Sequence, residues 1–157
     1  MKFTLLVVGR TVDKHFIALI SDYAGRIGHY VPFEVEVIPE LKNTKSLSVQ
    51  QQKEKEGELI MKSLQATDMV VLLDERGQEF RSVEFARWIE RKTQTQQKRM
   101  VFVVGGPYGF SDSVYARANE KISLSKMTYS HQMVRLIFVE QLYRAMTIIK
   151  GEPYHHE

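Results

Sequence analysis

The sequence predicts an α/β fold in which a mostly parallel sheet is flanked by helices. Short runs rich in Val, Leu and Ile recur along the chain, and segments with apolar residues every three or four positions separate them. The run at residues 101–104 is apolar throughout, which is typical of buried parallel strands. Strands that alternate with helices in this way predict an α/β layer, and 157 residues predict a single domain, 1–157.

The strands are predicted from short apolar or alternating runs. Residues 33–38 alternate with period two between two prolines, and their glutamates predict one wet side, as at the edge of a sheet. Residues 69–74 are apolar up to Asp74 and predict a central strand, with Gly77 in the loop that follows. The predicted strands cover residues 2–9, 33–38, 69–74, 101–104 and 122–124.

The helices are predicted from the spacing of their apolar residues, and a polar loop is expected at residues 40–47. The last helix carries an apolar stripe and ends at Gly151, after which Pro153 prevents its continuation. Burial in the protein's own core and a dimer seam explain this stripe about equally well. The predicted helices cover residues 11–30, 48–65, 82–96, 111–119 and 132–150. The stripe consists of Val134, Phe138, Leu142, Ala145 and Ile149.

Several classes of protein are excluded or disfavoured by composition. There is no cysteine, so the chain has no disulfide, no thiolate metal site and no cysteine nucleophile. The N-terminal apolar run is short and reads as a first strand rather than a signal peptide, and no stretch approaches the ~18–20 apolar residues of a membrane span. His155 and His156 lack a third ligand nearby. We therefore expect a cytoplasmic protein with no membrane association and no metal.

The charge is unevenly distributed along the chain. The net charge is +3, but residues 32–80 sum to −4 and residues 81–157 sum to +5. A basic C-terminal half favours a polyanionic partner, although an ordinary solvated surface explains the charge equally well. The alternating charges at residues 53–56 indicate a solvated helix face.

Candidate functional residues concentrate in the last third of the chain. Gly105, Gly106 and Gly109 follow the apolar strand at 101–104, where the absence of a Cβ lets main chain approach a ligand closely. Their spacing matches neither the dinucleotide fingerprint nor a P-loop, so a tight strand-to-helix turn is an equal alternative. His131 lies just before the last helix, four residues or about one helical turn from Arg135. Both side chains are candidates to face one cleft.

Taken together, the motifs of this chain resemble the RlmH (YbeA-type) family of SPOUT methyltransferases over the whole length. The resemblance implies a homodimeric enzyme with a Rossmann-like SPOUT fold and a C-terminal trefoil knot. It also implies methyl transfer from S-adenosyl-L-methionine to N3 of a pseudouridine in a 23S rRNA hairpin of the ribosome. The motifs are Val104-Gly-Gly-Pro-Tyr-Gly109, Ser123-Leu-Ser-Lys-Met-Thr128, His131-Gln-Met-Val-Arg135, Glu140-Gln-Leu-Tyr-Arg-Ala145 and Pro153-Tyr-His155.

The resemblance assigns roles to two groups of residues. We expect Arg135 to hold the carbonyl or phosphate of a flipped nucleotide, His131 to orient or deprotonate the base, and the tail residues to close over the target. The residues expected to be catalytic are His131, Arg135, Tyr154 and His155. Those expected to bind the methyl donor are Leu73, Gly105, Leu124, Ser125, Lys126, Met127, Thr128 and Tyr129.

Two other readings fit the same motifs. One is a SPOUT enzyme with a different RNA or a 2′-hydroxyl as its target. The other is a non-catalytic ribosome-binding factor that uses the basic residues on and after the third helix, which are Arg87, Arg91, Lys92, Lys98 and Arg99.

Overall fold

The computed structural model describes residues 1–156 and contains a five-stranded sheet with helices on both faces. The strands lie in the order β2-β1-β4-β3-β5, and every neighbouring pair is parallel. The strands are β1 (Lys2–Val8), β2 (Phe33–Ile38), β3 (Met69–Glu79), β4 (Arg99–Val104) and β5 (Glu120–Ser123). This arrangement confirms the predicted α/β fold and the edge position of β2.

Within residues 1–156, four α-helices and one short 3-10 turn connect the strands, and a fifth α-helix follows β5. The helices are α1 (Lys14–Ile27), α2 (Val49–Lys62), α3 (Ser82–Thr93), α4 (Asp112–Arg117) and α5 (Met133–Ile149), and the 3-10 turn is Thr44–Ser46. Helix α1 is shorter than predicted because the Asp13 carboxylate accepts hydrogen bonds from the main chain of His15 and Phe16, which caps the helix there. Within residues 1–156, no helix is long and apolar enough to cross a membrane.

Two apolar clusters cover the faces of the sheet. One packs α1, α3 and α5 against strand residues such as Phe3, Val71 and Phe102, and the other packs α2 and α4 against Leu6, Val103 and their neighbours. Phe138, Leu142 and Ala145 of the predicted stripe are fully buried in the first cluster. Burial in the protein's own core therefore explains the apolar residues at the centre of this stripe.

Strand β3 is longer than predicted and contains an irregularity. Gly77 was expected in a loop, but that prediction is wrong because β3 continues to Glu79. Both Leu73 and Gln78 pair with Ile122, so residues 74–77 form a bulge between two paired stretches. A Cβ at Gly77 would lie 2.6 Å from the main chain of Ile122, which explains why a glycine occupies this crossing.

Candidate active site

A cleft of about 680 Å³ opens at the carboxyl ends of β3, β4 and β5. Ligands of open parallel sheets bind at this edge because the connecting loops can shape a site there. Three segments supply most of the lining: residues 73–76 of β3 and its bulge, residues 104–110 after β4, and residues 123–131 apart from Lys126.

The turn after β4 brings bare main chain to the cleft wall. Gly109 has a φ of +82° and donates its N–H to the carbonyl of Gly106 over 3.2 Å. A Cβ at Gly105 would lie 2.9 Å from the ring of Phe110. Side chains at 105 and 109 are therefore disfavoured by crowding and by backbone conformation respectively.

Helix α2 fixes this turn through Glu56. The Glu56 Oε1 accepts a hydrogen bond of 2.8 Å from the main-chain N–H of Gly106. Burial raises the pKa of Glu56, and the N–H of Gly106 opposes that shift. The predicted solvated helix face at residues 53–56 is confirmed for Glu54 and Lys55, which are exposed, whereas Lys53 lines the cleft and Glu56 contacts the turn.

The loop before α5 presents main-chain polar groups. The Ser125 Oγ accepts from the N–H of Met127 over 2.9 Å, which fixes the start of the loop. In the part of the chain that the structure describes, the main-chain groups of Lys126, Thr128 and Tyr129 have no hydrogen-bond partner. The loop can therefore recognise the polar edge of a ligand through its backbone.

Seven of the eight residues predicted to bind the methyl donor line the cleft. They are Leu73, Gly105, Leu124, Ser125, Met127, Thr128 and Tyr129. The eighth, Lys126, is exposed, and its Nζ lies 3.9 Å from the Oε1 of Glu79. The structure thus brings this group together, while its role in binding stays a prediction.

His131 lines the same cleft, but Arg135 does not. The Arg135 side chain is only 1% exposed, and its Nε donates to the carbonyl of His131 over 2.9 Å. Its other nitrogens donate to the carbonyls of Val8 and Gly9, both at 2.8 Å, and to the hydroxyl of Thr11 at 3.1 Å.

This arrangement changes the role expected of Arg135. Burial lowers its pKa, and the carboxylate of Glu40 opposes that shift. Its donors serve the end of β1 and the carbonyl of His131, so direct contact with a nucleotide is not supported by the geometry. Arg135 instead anchors the segment that carries His131.

Tyr154 and His155 pack on the C-terminal half of α5, away from the cleft. The Tyr154 hydroxyl donates to Glu140 Oε1 over 3.0 Å, and the His155 Nδ1 lies 3.1 Å from a nitrogen of Arg144. Ten residues of helix separate Arg144 from Val134, which lines the cleft, and this corresponds to about 15 Å. Within a single chain, the tail therefore does not reach His131.

Several charged residues of the cleft were not predicted as site residues. The bulge of β3 carries Asp74, Glu75 and Arg76 into the lining, and the ring of Tyr115 in α4 lies beside them. The Asp74 Oδ2 accepts a very short hydrogen bond from the Tyr115 hydroxyl. Asp74 was recognisable as the end of an apolar strand, but only the folded chain reveals its pairing with a helix 41 residues away.

The cleft has the composition of a nucleoside site. Apolar side chains such as Leu73, Leu124 and Val134 can cover an aromatic base, and nearby backbone groups can bond its edge. Among residues 1–156, no group of three or more His, Asp or Glu side chains is placed to hold a metal ion.

Comparisons with known proteins agree with this geometry. The family model described as "Predicted SPOUT methyltransferase" matches residues 1–155. A protein of Phocaeicola vulgatus named "Ribosomal RNA large subunit methyltransferase H" is 71% identical over the full length of both chains, and a relative of the same name in Flavobacterium johnsoniae is 53% identical, also over the full length of both.

One solved structure supports the fold. The crystal structure of a probable methyltransferase from Bordetella pertussis superposes with a TM-score of 0.58 at 11% identity, covering 92% of this chain and 94% of that one. At this identity the likeness concerns architecture alone. The family model and the full-length relatives identify the family as well as the fold. The chain belongs to the RlmH family of SPOUT methyltransferases.

Proposed function

We propose that this protein methylates N3 of a pseudouridine in a hairpin of 23S rRNA within the ribosome, using S-adenosyl-L-methionine as the methyl donor. The observation that carries the proposal is the 71% identity, over the whole chain, to a relative named as a large-subunit rRNA methyltransferase. The base and the position rest on the motif resemblance, which includes the glycine turn and the residues around His131.

The cleft supports the choice of donor. An adenosine suits this cleft for three reasons. The main chain is bare at Gly105, and Leu73 and Leu124 can cover the base. Backbone groups at Thr128 and Tyr129 are free to bond its edge. When bound, S-adenosyl-L-methionine would supply an electrophilic methyl group attached to a positively charged sulfur. The chain's own residues then have to place the acceptor and relieve it of a proton.

His131 is the proposed residue for the acceptor base. N3 of pseudouridine is an imide nitrogen and a poor nucleophile while it is protonated, so a nearby base or hydrogen-bond partner lowers the barrier. His131 lines the cleft, and the bond from Arg135 to its carbonyl holds its main chain. We assign Arg135 a positioning role and assign His131 contact with the flipped base.

The tail is proposed to act in the cleft of a second copy. Burial and the hydrogen bond with Tyr23 raise the pKa of Tyr154, so its hydroxyl remains protonated and donates rather than accepting the proton from N3. Since Tyr154 and His155 lie far from the cleft of their own protomer, a homodimer that pairs each tail with the other cleft joins both groups.

Exposed apolar residues support such a homodimer. Val12 is 77% exposed, Leu19 is 45% exposed and Met127 is 78% exposed. The main-chain N–H of Val12 is bonded to the side chain of Gln132 at the start of α5, which places it next to His131. We propose that these residues, rather than the buried centre of the α5 stripe, contribute to the seam.

Basic residues on and after α3 are proposed to contact RNA phosphates. Arg87, Arg91 and Lys98 are exposed, whereas Lys92 pairs with Glu120 over 3.0 Å and Arg99 pairs with Asp68 over 2.6 Å. The first three are therefore better placed to bind rRNA than the last two. A cytoplasmic location, a single domain over 1–157 and a C-terminal trefoil knot complete the proposal.

A methyl-transfer assay tests the proposed reaction. The protein is incubated with labelled S-adenosyl-L-methionine and with assembled ribosomes, free large subunits or naked 23S rRNA, and labelled nucleosides are identified by mass spectrometry. We expect 3-methylpseudouridine at one rRNA position. A 2′-O-methyl nucleoside or a different base would instead support another SPOUT activity. Ribosome binding without donor binding would support a non-catalytic factor.

A further inference from the structure

The carboxylate of Asp74 is set into the cleft by the bulge of β3. Asp74 directly follows Leu73, which pairs with Val104, so the carboxylate lies beside the strand end that leads into Gly105. The bulge at residues 74–77 interrupts pairing with β5 and turns this acidic segment toward the ligand space.

Two donors hold this carboxylate. Its Oδ1 accepts from the main-chain N–H of Arg76 over 2.9 Å, and its Oδ2 accepts from the hydroxyl of Tyr115. A carboxylate offers about four acceptor sites, so capacity remains on the side of the cleft. Burial, together with the bond to Asp74, raises the pKa of Tyr115 to about 12, so the tyrosine stays a donor at neutral pH.

Asp74 is more enclosed than the other acidic groups of the cleft. Glu75 and Asp112 are exposed, while Asp74 is half-buried. The cleft lining contains one lysine, Lys53, and one arginine, Arg76, and Arg76 is exposed. Because water screens exposed charges more strongly, the charge of Asp74 is screened less than the charges of Glu75 and Asp112.

We propose that Asp74, held in place by Tyr115, makes the cleft prefer the positively charged methyl donor over the neutral product that remains after transfer. The inference rests on the proposed function. During transfer the lone pair of deprotonated N3 forms a bond to the methyl carbon, and the carbon–sulfur bond breaks with its electron pair returning to sulfur. Sulfur thereby changes from a cationic sulfonium to a neutral thioether, and the N3 proton has passed to a base.

This change of charge gives Asp74 a role in turnover. A carboxylate near the sulfur attracts the donor and loses that attraction when transfer is complete, which favours release of S-adenosyl-L-homocysteine and its replacement by fresh donor. Asp74 acts here as a specificity determinant for the charge of the cofactor, without any part in proton transfer.

Calorimetric titration of the full-length protein tests the inference. Wild type, D74N, Y115F and the control E90Q are titrated with S-adenosyl-L-methionine, with S-adenosyl-L-homocysteine and with an analogue that carries an amino group in place of the sulfonium. Glu90 is exposed on α3 and does not line the cleft, so E90Q changes the net charge equally without touching the site. Thermal melting verifies that each variant is folded.

The expected result is a loss of affinity that is selective for the positively charged ligands. In D74N the Kd for the donor should rise about tenfold, and the charged analogue should follow it, while the Kd of the thioether changes less than about twofold. Y115F should shift the same ratio in the same direction by a smaller factor, and E90Q should leave all three Kd values unchanged.

Three outcomes distinguish failure of this inference from failure of the function on which it rests. Equal weakening of donor and thioether in D74N would overturn the inference, since Asp74 would then contact a part common to both. An unchanged ratio in Y115F would overturn the holding role of the tyrosine. If wild type bound neither ligand, the proposed donor itself would be wrong.

Discussion

The two ends of α5 are held in different ways, although residues proposed for one site lie at both. At the N-terminal end, Arg135 and Gln132 bind the main chain after β1 and keep His131 beside an open cleft. At the C-terminal end, Glu140 and Arg144 bind the tail, and the protein's own side chains fill the surroundings. The N-terminal end of α5 leaves space for a ligand, and the C-terminal end holds the tail against the helix.

This difference supports the proposal that two copies of the chain complete the site. The ring of Tyr154 packs on Tyr143 with centroids 4.7 Å apart and lies beneath the guanidinium of Arg144, so the tail is held against α5 within one chain. A preformed tail loses little entropy when it meets a second cleft.

The largest effect is expected from removing the tail. Deletion of residues 153–157 should lower the rate of methyl transfer by at least about a hundredfold, because the groups that position the target would be lost. The Kd for S-adenosyl-L-methionine, measured by calorimetry, should stay within about twofold of wild type, since the cleft of each protomer is intact.

E152Q is the matched control for this truncation. It weakens the bond from the Tyr30 hydroxyl to Glu152, 2.7 Å in length, but it leaves Tyr154 and His155 in the chain. Transfer should remain close to wild type. Full activity in the truncated protein would exclude the tail from the reaction.

A large effect on stability is expected from R135A at the other end of α5. The substitution leaves the buried carbonyls of Val8 and Gly9 without their donors, so the free energy of unfolding should fall by about 3 kcal/mol. R135K retains a charge but not the rigid fork, and it should recover only part of the loss. Urea denaturation measures both variants.

The alternative role of Arg135 makes a different prediction. If R135A were as stable as wild type and lost methyl transfer alone, the arginine would contact the nucleotide directly, as the sequence had suggested. The structure's positioning role would then be wrong.

A smaller effect is expected at Glu56, which binds the turn after β4. Because the pKa of Glu56 is raised in the folded state, its contribution to stability is full below the unfolded pKa and declines as pH rises through the folded value. E56Q keeps an acceptor for the N–H of Gly106 and removes this titration. Its free energy of unfolding should lie within about 1 kcal/mol of wild type at neutral pH.

The measurement for Glu56 is a comparison of urea denaturation curves from pH 4 to pH 8. Relative to wild type, E56Q should gain stability as pH rises across the window above the ordinary carboxyl value. If E56Q instead lost stability relative to wild type as pH rises, the hydrogen bond to Gly106, rather than burial, would have the larger effect on the pKa of Glu56.

The sequence predicted those parts of the molecule in which one local pattern decides the structure. The alternating glutamates of residues 33–38 identified an edge strand, and Ser48 marked the start of α2, where its side chain accepts from the N–H of Gln51. The motifs also placed most of the proposed donor-binding residues in segments that meet at one cleft.

The sequence could not predict features that depend on distant partners. The polar stretch after Leu73 resembles a loop, and it becomes a bulged strand only because β5 pairs with it. An arginine one helical turn after His131 looks like a ligand-binding residue, yet the carbonyls of Val8 and Gly9 lie more than 120 positions earlier in the chain. Long-range packing decides both cases.

Mixing two inactive variants tests the shared site most directly. One variant carries Gly105→Val, which fills the cleft wall but leaves the tail intact, and the other lacks residues 153–157. Each is verified as folded by circular dichroism, donor binding is shown by calorimetry to be lost in the first variant and retained in the second, and mixed dimers are verified by native mass spectrometry. If each tail serves the cleft of its partner, the mixed dimer contains one complete site and should recover methyl transfer toward half the wild-type rate. Mixed dimers that form but remain inactive would contradict the account.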